Sequence, residues 1–143
     1  MVECNNTDLW TCHDVNNPIV ITTNGCVTNN GKAVMGRGIA LQAKNRIPKL
    51  PKLLGFHINT YGNWVFYFKE YNLFTFPVKH NWWEKADLQL IRQSAEQLLD
   101  HVNEKGFKKV WMVRPGCGNG RLKWENVKPV IEFLDDRFIV VEK

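Results

Sequence analysis

Hydrophobic positions along the chain change period several times, and each change marks an element. Pro18 to Thr23 is a continuous apolar, β-branched run and reads as a buried strand. Val34 to Arg46 carries Gly36, Ala40, Ala43 and then Ile47 at helical spacing, with Pro48 as a stop, and predicts a helix. The middle of the chain is aromatic and β-branched. Leu54 to Asn59, Trp64 to Lys69 and Leu73 to Val78 read as strands of a meander, broken at Tyr61-Gly62-Asn63 and Glu70-Tyr71-Asn72. Ala86 to Lys105 is the clearest helix: Leu88, Ile91, Ala95, Leu98 and Val102 make one apolar stripe, and Gly106 ends it. Lys109 to Arg114 reads as a strand. Trp124 to Leu134 reads as a helix in which Pro129 falls near the first turn or introduces a kink. Phe138 to Val141 closes with a strand, and Met1 to Asn5 fits a short edge strand. Strands alternating with helices predict an α/β sheet covered on both faces, and the central hairpins make that sheet mixed.

The bulk numbers narrow this picture. A chain of 143 residues fits one domain, 1–143, with a full core. Hydrophobic residues at 44% and charged residues at 23% are ordinary for a globular protein. No apolar run approaches the roughly 18 residues of a membrane span, so no membrane partner is expected. The opening MVECNNTDLW lacks a basic region followed by an apolar one, so a cytoplasmic location is expected. Cys4, Cys12, Cys26 and Cys117 show no CxxC spacing and read as reduced thiols, with no metal site and no cofactor expected. A net charge of +5 suits an anionic ligand or DNA as well as a merely basic surface. A monomer is expected.

Chemistry concentrates in three loops. The first, in Thr22-Thr23-Asn24-Gly25 through Val34-Met35-Gly36-Arg37-Gly38, leaves a strand and feeds a helix. The second, Pro115 to Leu122, reads PGCGNGRL and does the same. Glycine lets backbone N–H groups approach phosphate oxygens, and a helix N-terminus adds positive potential. The third is Pro77-Val78-Lys79-His80. Ligands of open α/β sheets lie beyond the carboxyl ends of strands, where all three loops stand. Neither GxGxxG nor GxxxxGK[ST] is present, which argues against a dinucleotide dehydrogenase and a P-loop NTPase. Taken alone, Asp8 reads as a helix cap and Lys79 as an exposed lysine, or as an amine whose pKa falls under partial burial. His80 reads as a general acid or base, or as an exposed ring. Trp82 and Trp83 either stack on a base or pack beneath the following helix, and packing is expected for at least one.

Together, Thr7-Asp8-Leu9, Thr23-Asn24-Gly25, Val34-Met35-Gly36-Arg37-Gly38-Ile39-Ala40, Phe76-Pro77-Val78-Lys79-His80-Asn81-Trp82 and Pro115-Gly116-Cys117-Gly118-Asn119-Gly120 resemble the macrodomain family. The likeness is to its ADP-ribosyl glycohydrolase branch, which includes antitoxin macrodomains that strip ADP-ribose from DNA and hydrolases of terminal ADP-ribose on proteins. The resemblance implies a three-layer α/β/α fold with a central mixed sheet and an ADP-ribose ligand. It implies that Asp8, with Leu9 beside it, meets the adenine and that Asn24 faces the distal ribose. Met35, Gly36, Arg37 and Gly38 would line that ribose and the diphosphate. Gly116, Cys117, Gly118, Asn119 and Gly120 would form the loop whose N–H groups hold the diphosphate. Lys79 aligns with the lysine the branch uses at the anomeric carbon, so Lys79 and Asn24 are the implied catalytic pair.

One position departs from the protein-directed members. They pair that lysine with an aspartate where this chain has Gly120. The resemblance therefore implies removal of ADP-ribose from a thymine base of DNA. Alternatives are an ADP-ribose 1''-phosphate phosphatase, a non-catalytic ADP-ribose reader and an ADP-ribosyl-glutamate protein hydrolase.

Overall fold

The computed structural model describes residues 1–13 and 16–142. Six strands form one sheet: β1 (Val2–Asn5), β2 (Ile19–Asn24), β3 (Tyr67–Phe68), β4 (Leu73–Lys79), β5 (Val110–Val113) and β6 (Phe138–Glu142). Their order is β1-β6-β5-β2-β4-β3. Every neighbouring pair is parallel except β3 with β4, which is antiparallel. The helices are α1 (Leu9–Cys12), α2 (Gly38–Arg46), α3 (Leu50–Tyr61), α4 (Leu88–Lys105) and α5 (Trp124–Ile131).

The two-residue period of the strands sorts the core into two halves. Val20, Phe74, Phe76, Met112 and Phe138 face α4 and α5, where Ile91, Ala95, Leu98, Val102, Val127 and Ile131 meet them. Ile19, Ile21 and Leu73 face the other side and pack with Leu9, Ala40, Ala43, Leu50, Leu54 and Ile58 of α1 to α3. Helices therefore cover both faces, giving the three-layer α/β/α arrangement with a mixed sheet. Among the described residues, no helix is long and apolar enough to cross a membrane.

Strand β2 lies between β5 and β4, so its neighbours on either side come later in the chain and the connections diverge around it. That is a topological switch point, and the crevice beyond its carboxyl end is where this architecture binds ligands. Pro77 is tolerated late in β4 because β3 reaches only Leu73 and Phe74, leaving the outer side of β4 open farther along. Its carbonyl accepts from the buried Ser94 hydroxyl at 2.7 Å.

Several expectations need correction. Leu54 to Asn59 is not a strand: it lies inside α3. Leu50, Leu54 and Ile58 are four apart and buried, and Pro51 sits in the first turn, where its missing N–H is harmless. The meander thus shrinks to the single β3–β4 pair, and Trp64 to Lys69 contributes only Tyr67–Phe68 as strand. Helix α2 starts at Gly38 rather than Val34, because Val34 N–H is bound to Cys26 O at 3.0 Å and Val27 bridges Ala33. Helix α4 starts at Leu88, capped by the Asp87 carboxylate. Helix α5 ends at Ile131 rather than Leu134, and Pro129 stands in its interior. The short helix α1 had no signal beyond the capping potential of Asp8.

Candidate active site

The carboxyl ends of β2, β4 and β5 open into one cleft of about 490 Å3. It is lined by Asn24, Met35, Gly36, Arg37 and Gly38 from the first loop, Lys79 from the third, and Gly116, Cys117, Gly118, Asn119 and Gly120 from the second. Three segments separated by tens of residues therefore share one wall, as the switch-point geometry requires.

A β-bulge sets the floor. Thr23 of β2 is opposite Pro77 of β4, but the next residue, Asn24, is opposite Lys79. The extra residue, Val78, re-aims the strand end. Asn24 uses its amide to shape the first loop: Nδ2 donates to Val34 O at 3.0 Å, and Oδ1 accepts from Cys26 N–H at 2.9 Å. One amide hydrogen of Asn24 is left over by this pattern.

Lys79 bridges the third loop and the second. Its Nζ donates to Trp82 O at 3.2 Å and to Asn119 O at 3.1 Å. Partial burial holds the Lys79 amine below the usual lysine range, and the nearby Arg121 and Arg37 charges lower it further. A lowered pKa raises the fraction of free amine at a given pH.

The glycine loops present backbone N–H groups. Residues Gly118–Gly120 form a single 3-10 turn whose first bond is Arg121 N–H to Gly118 O at 2.9 Å. The N–H groups of Gly118, Asn119 and Gly120 precede that bond and are not consumed by it. The first N–H groups of α2 stand in the same relation to the Leu41 N–H to Arg37 O bond at 3.2 Å. Gly116 takes φ 77° and Gly118 φ 73°, conformations in which a Cβ is strained. The two loops meet across the cleft, where a Cβ on Gly38 would lie 3.1 Å from Asn119 Nδ2. Gly120 backs onto Ala86: a Cβ there would lie 2.9 Å from the Ala86 Cβ. Cys117 is half-buried, and burial pushes its thiol up, so it stays neutral.

No protein-family model matches the chain. Among curated proteins it is 30% identical over 106 residues to the ADP-ribose glycohydrolase OARD1 of Bos taurus, an alignment covering 68% of this chain and 64% of that protein. It is 26% identical over 115 residues to the DNA ADP-ribosyl glycohydrolase of Thermus aquaticus, covering 73% of this chain and 32% of that protein. It thus spans about a third to two thirds of the lengths of these relatives. Among solved structures, the macrodomain of Mycobacterium tuberculosis DarG superposes with a TM-score of 0.76 at 25% identity, over 99% of this chain and 96% of that one.

The chain is a macrodomain. Its likeness runs to the ADP-ribosyl glycohydrolase branch.

Within this macrodomain, Asp8 and Leu9 do not line the cleft. Asp8 Oδ1 caps α1 by accepting from Trp10 N–H at 3.1 Å, and Leu9 is buried with the α1 to α3 core. Trp10 in turn rests on α2: its Nε1 donates to Gln42 Oε1 at 2.8 Å and the Arg46 guanidinium lies 4.5 Å from its ring centre. His80 also stays out of the lining, exposed and 3.0 Å from the Asp87 carboxylate. The expectation that Trp82 or Trp83 packs beneath α4 fails, since both are exposed.

Sequence reasoning missed Arg114 and the role of Ala86. Arg114 lines the cleft while its guanidinium reaches Glu142 at 3.2 Å and Glu3 at 3.6 Å and stacks over Trp124 at 4.9 Å. That network ties the end of β5 to its neighbour β6 and to the edge strand β1. Its only sequence signal was a cation placed directly before Pro115-Gly116. Among the described residues, no cluster of three or more His, Cys, Asp or Glu side chains could hold a metal.

Proposed function

We propose that this macrodomain hydrolyses the N-glycosidic bond between ADP-ribose and a thymine base of DNA, releasing ADP-ribose. The observation that carries the reading is the placement of Lys79: it lines the cleft, and its Nζ is held by Trp82 O at 3.2 Å and Asn119 O at 3.1 Å. Burial and the flanking arginines lower its pKa, and the reaction uses the neutral form of the amine, whose lone pair attacks carbon.

The diphosphate would lie between the first N–H groups of α2 and those of the Gly118–Gly120 turn, and Asn24 would hold the distal ribose with its spare amide hydrogen. The Lys79 nitrogen then bonds to the anomeric carbon as the carbon–nitrogen bond to the base breaks, and the base leaves with a proton. The ribose ring opens as its oxygen gains a proton and the lysine nitrogen loses one, giving an imine. Water adds to the imine carbon, the bond to Lys79 breaks, and ADP-ribose departs with the amine restored.

DNA is favoured over a protein ester by Gly120 and Ala86. In the protein-directed pattern a carboxylate stands at this position, and here the Ala86 methyl fills that space. The positive charge of the chain and the activity for which the Thermus aquaticus relative is named support the same reading.

The test is a substrate panel: DNA ADP-ribosylated on thymine, protein ADP-ribosylated on glutamate, and ADP-ribose 1''-phosphate. Release of ADP-ribose from the DNA, with little from the protein and no phosphate from the third, is expected. Release from the protein alone, or phosphate release alone, would overturn the proposal.

A further inference from the structure

We propose that Trp82 and Trp83 form a stacking platform for an unpaired base of single-stranded nucleic acid at the mouth of the cleft. The inference rests on the reading of the site as a glycohydrolase acting on a nucleic-acid-linked ADP-ribose, and adds the surface that holds the strand outside the cleft.

Position comes first. Trp82 lines the cleft, and its carbonyl holds the Lys79 amine at 3.2 Å. The group that leaves from the carbon attacked by Lys79 must therefore emerge beside this turn. Trp83 is the next residue, lies outside the lining and meets the Trp82 ring edge to face, which extends the aromatic surface beyond the cleft.

Exposure comes second. Trp82 is 49% exposed and Trp83 60% exposed, and the two rings meet edge to face at 5.6 Å and 89°. Two large indoles left in water on adjacent residues are an unfavourable arrangement for folding alone.

The turn that carries them is pinned. Asn81 N–H and Nδ2 both donate to Glu84 Oε1, at 2.8 and 2.7 Å, and Glu84 N–H returns to Asn81 O at 3.1 Å. Cys26 Sγ reaches Asn81 Oδ1 at 3.4 Å, and Ala86 N–H donates to Gly120 O at 3.0 Å. The indoles therefore sit on a preorganised surface, which lowers the entropic cost of binding a flat partner.

Charge supplies the class of partner. Arg37 and Arg121 are exposed and flank Lys79, and among the described residues neither is paired with a carboxylate in an ion pair. Stacking faces beside unneutralised guanidinium groups are how proteins hold single strands: phosphates meet the cations and bases lie on the rings. A duplex hides the faces of its bases inside the stack, so only an unpaired base can use these indoles.

The experiment uses the whole chain and its Trp83→Ala and Trp83→Tyr variants. Indole fluorescence is followed during titration with unmodified oligothymidylate and with a duplex of the same length. Release of ADP-ribose from ADP-ribosylated single-stranded DNA is measured in parallel, with calorimetry of free ADP-ribose as the control. Expected are quenching by the single strand but not the duplex, and a KM raised roughly tenfold in Trp83→Ala with kcat nearly kept. Trp83→Tyr should recover most of the loss, and ADP-ribose should bind all three alike. An unchanged KM in Trp83→Ala, or quenching by duplex as strong as by single strand, would overturn the platform. If the wild type releases nothing from DNA, the proposed reaction fails, and the quenching arm still decides the platform.

Discussion

The carbonyl oxygen of Gly31 occupies the place where a Cβ on Gly55 would go, and Ala33 N lies 2.9 Å from the same point. The loop that follows Asn24 therefore docks directly on α3, an approach only glycine allows. In an ordinary helix interior, Gly→Ala gains about 1 kcal/mol. Here the sign reverses. Gly55→Ala is expected to lower stability by roughly 1–3 kcal/mol, the usual range for overpacking, and to weaken ADP-ribose binding as the loop lifts. Urea unfolding at constant m-value, beside calorimetry with ADP-ribose, checks both effects. A Gly55→Ala protein more stable than wild type would contradict this packing.

Asn24 is tied to its loop by one acceptor and one donor, and the two can be separated. Asn24→Asp keeps an oxygen for Cys26 N–H but places negative charge beside Val34 O, where a donor stood at 3.0 Å. The bond is partly buried, so its loss should cost about 1 kcal/mol or more. ADP-ribose affinity should fall by roughly tenfold or more in Asn24→Asp, read by calorimetry. Equal affinity would show that the Asn24 amide does not shape the cleft.

The pH dependence follows from Lys79. Burial, and then the neighbouring Arg121 and Arg37 charges, disfavour its protonated form, so its pKa lies below the ordinary 10.5. The proposed reaction needs the neutral amine, so activity should rise with pH through the depressed Lys79 value, below the pH at which an exposed lysine titrates. Removing a neighbouring positive charge raises the pKa. Arg121→Gly should therefore shift the inflection of kcat upward and reduce activity near neutral pH. Arg121 has φ 64°, so glycine there relieves backbone strain and the variant should fold at least as well as wild type. A pH profile unmoved by Arg121→Gly would remove Arg121 from the tuning of Lys79.

Gly120 and Ala86 should behave as a coupled pair. Gly120→Ala alone forces two methyl groups to 2.9 Å and should destabilise by about 1–3 kcal/mol. Ala86→Gly alone leaves a small void. In the double variant the new methyl has room, so the combined loss should be smaller than the sum, and a double-mutant cycle in urea reads the difference. Strict additivity would mean that the two residues do not compete for space.

How much of this was legible in the sequence depends on what each residue's neighbours decide. Ile91, Ala95, Leu98 and Val102 announced α4 because one stripe faces one sheet for about three turns, and the structure buries all four, while Leu88 at the helix start is exposed. Leu54 and Ile58 were misread as strand because Phe56 and Ile58 favour strands, while the four-residue step from Leu50 and the early Pro51 carried the helical signal. Tertiary packing of that stripe outweighed local preference. The glycine loops were legible because Gly38, Gly116 and Gly118 adopt positive φ, a demand that shows directly as residue choice. The bulge at Val78, the docking of Gly31 on Gly55 and the Ala86 methyl behind Gly120 were not. Each depends on which distant segment stands opposite, and no local pattern encodes that. Asp8 was ambiguous between cap and ligand contact, and the structure uses one of its oxygens as the cap.

The most direct measurement is reductive trapping. The protein is turned over on ADP-ribosylated single-stranded DNA in the presence of borohydride, which reduces an imine to a stable amine, and the digest is read by mass spectrometry. An ADP-ribosyl adduct on the peptide carrying Lys79, absent from Lys79→Ala, is the predicted result. ADP-ribose released at the wild-type rate by Lys79→Ala, with no adduct on either protein, would contradict the account.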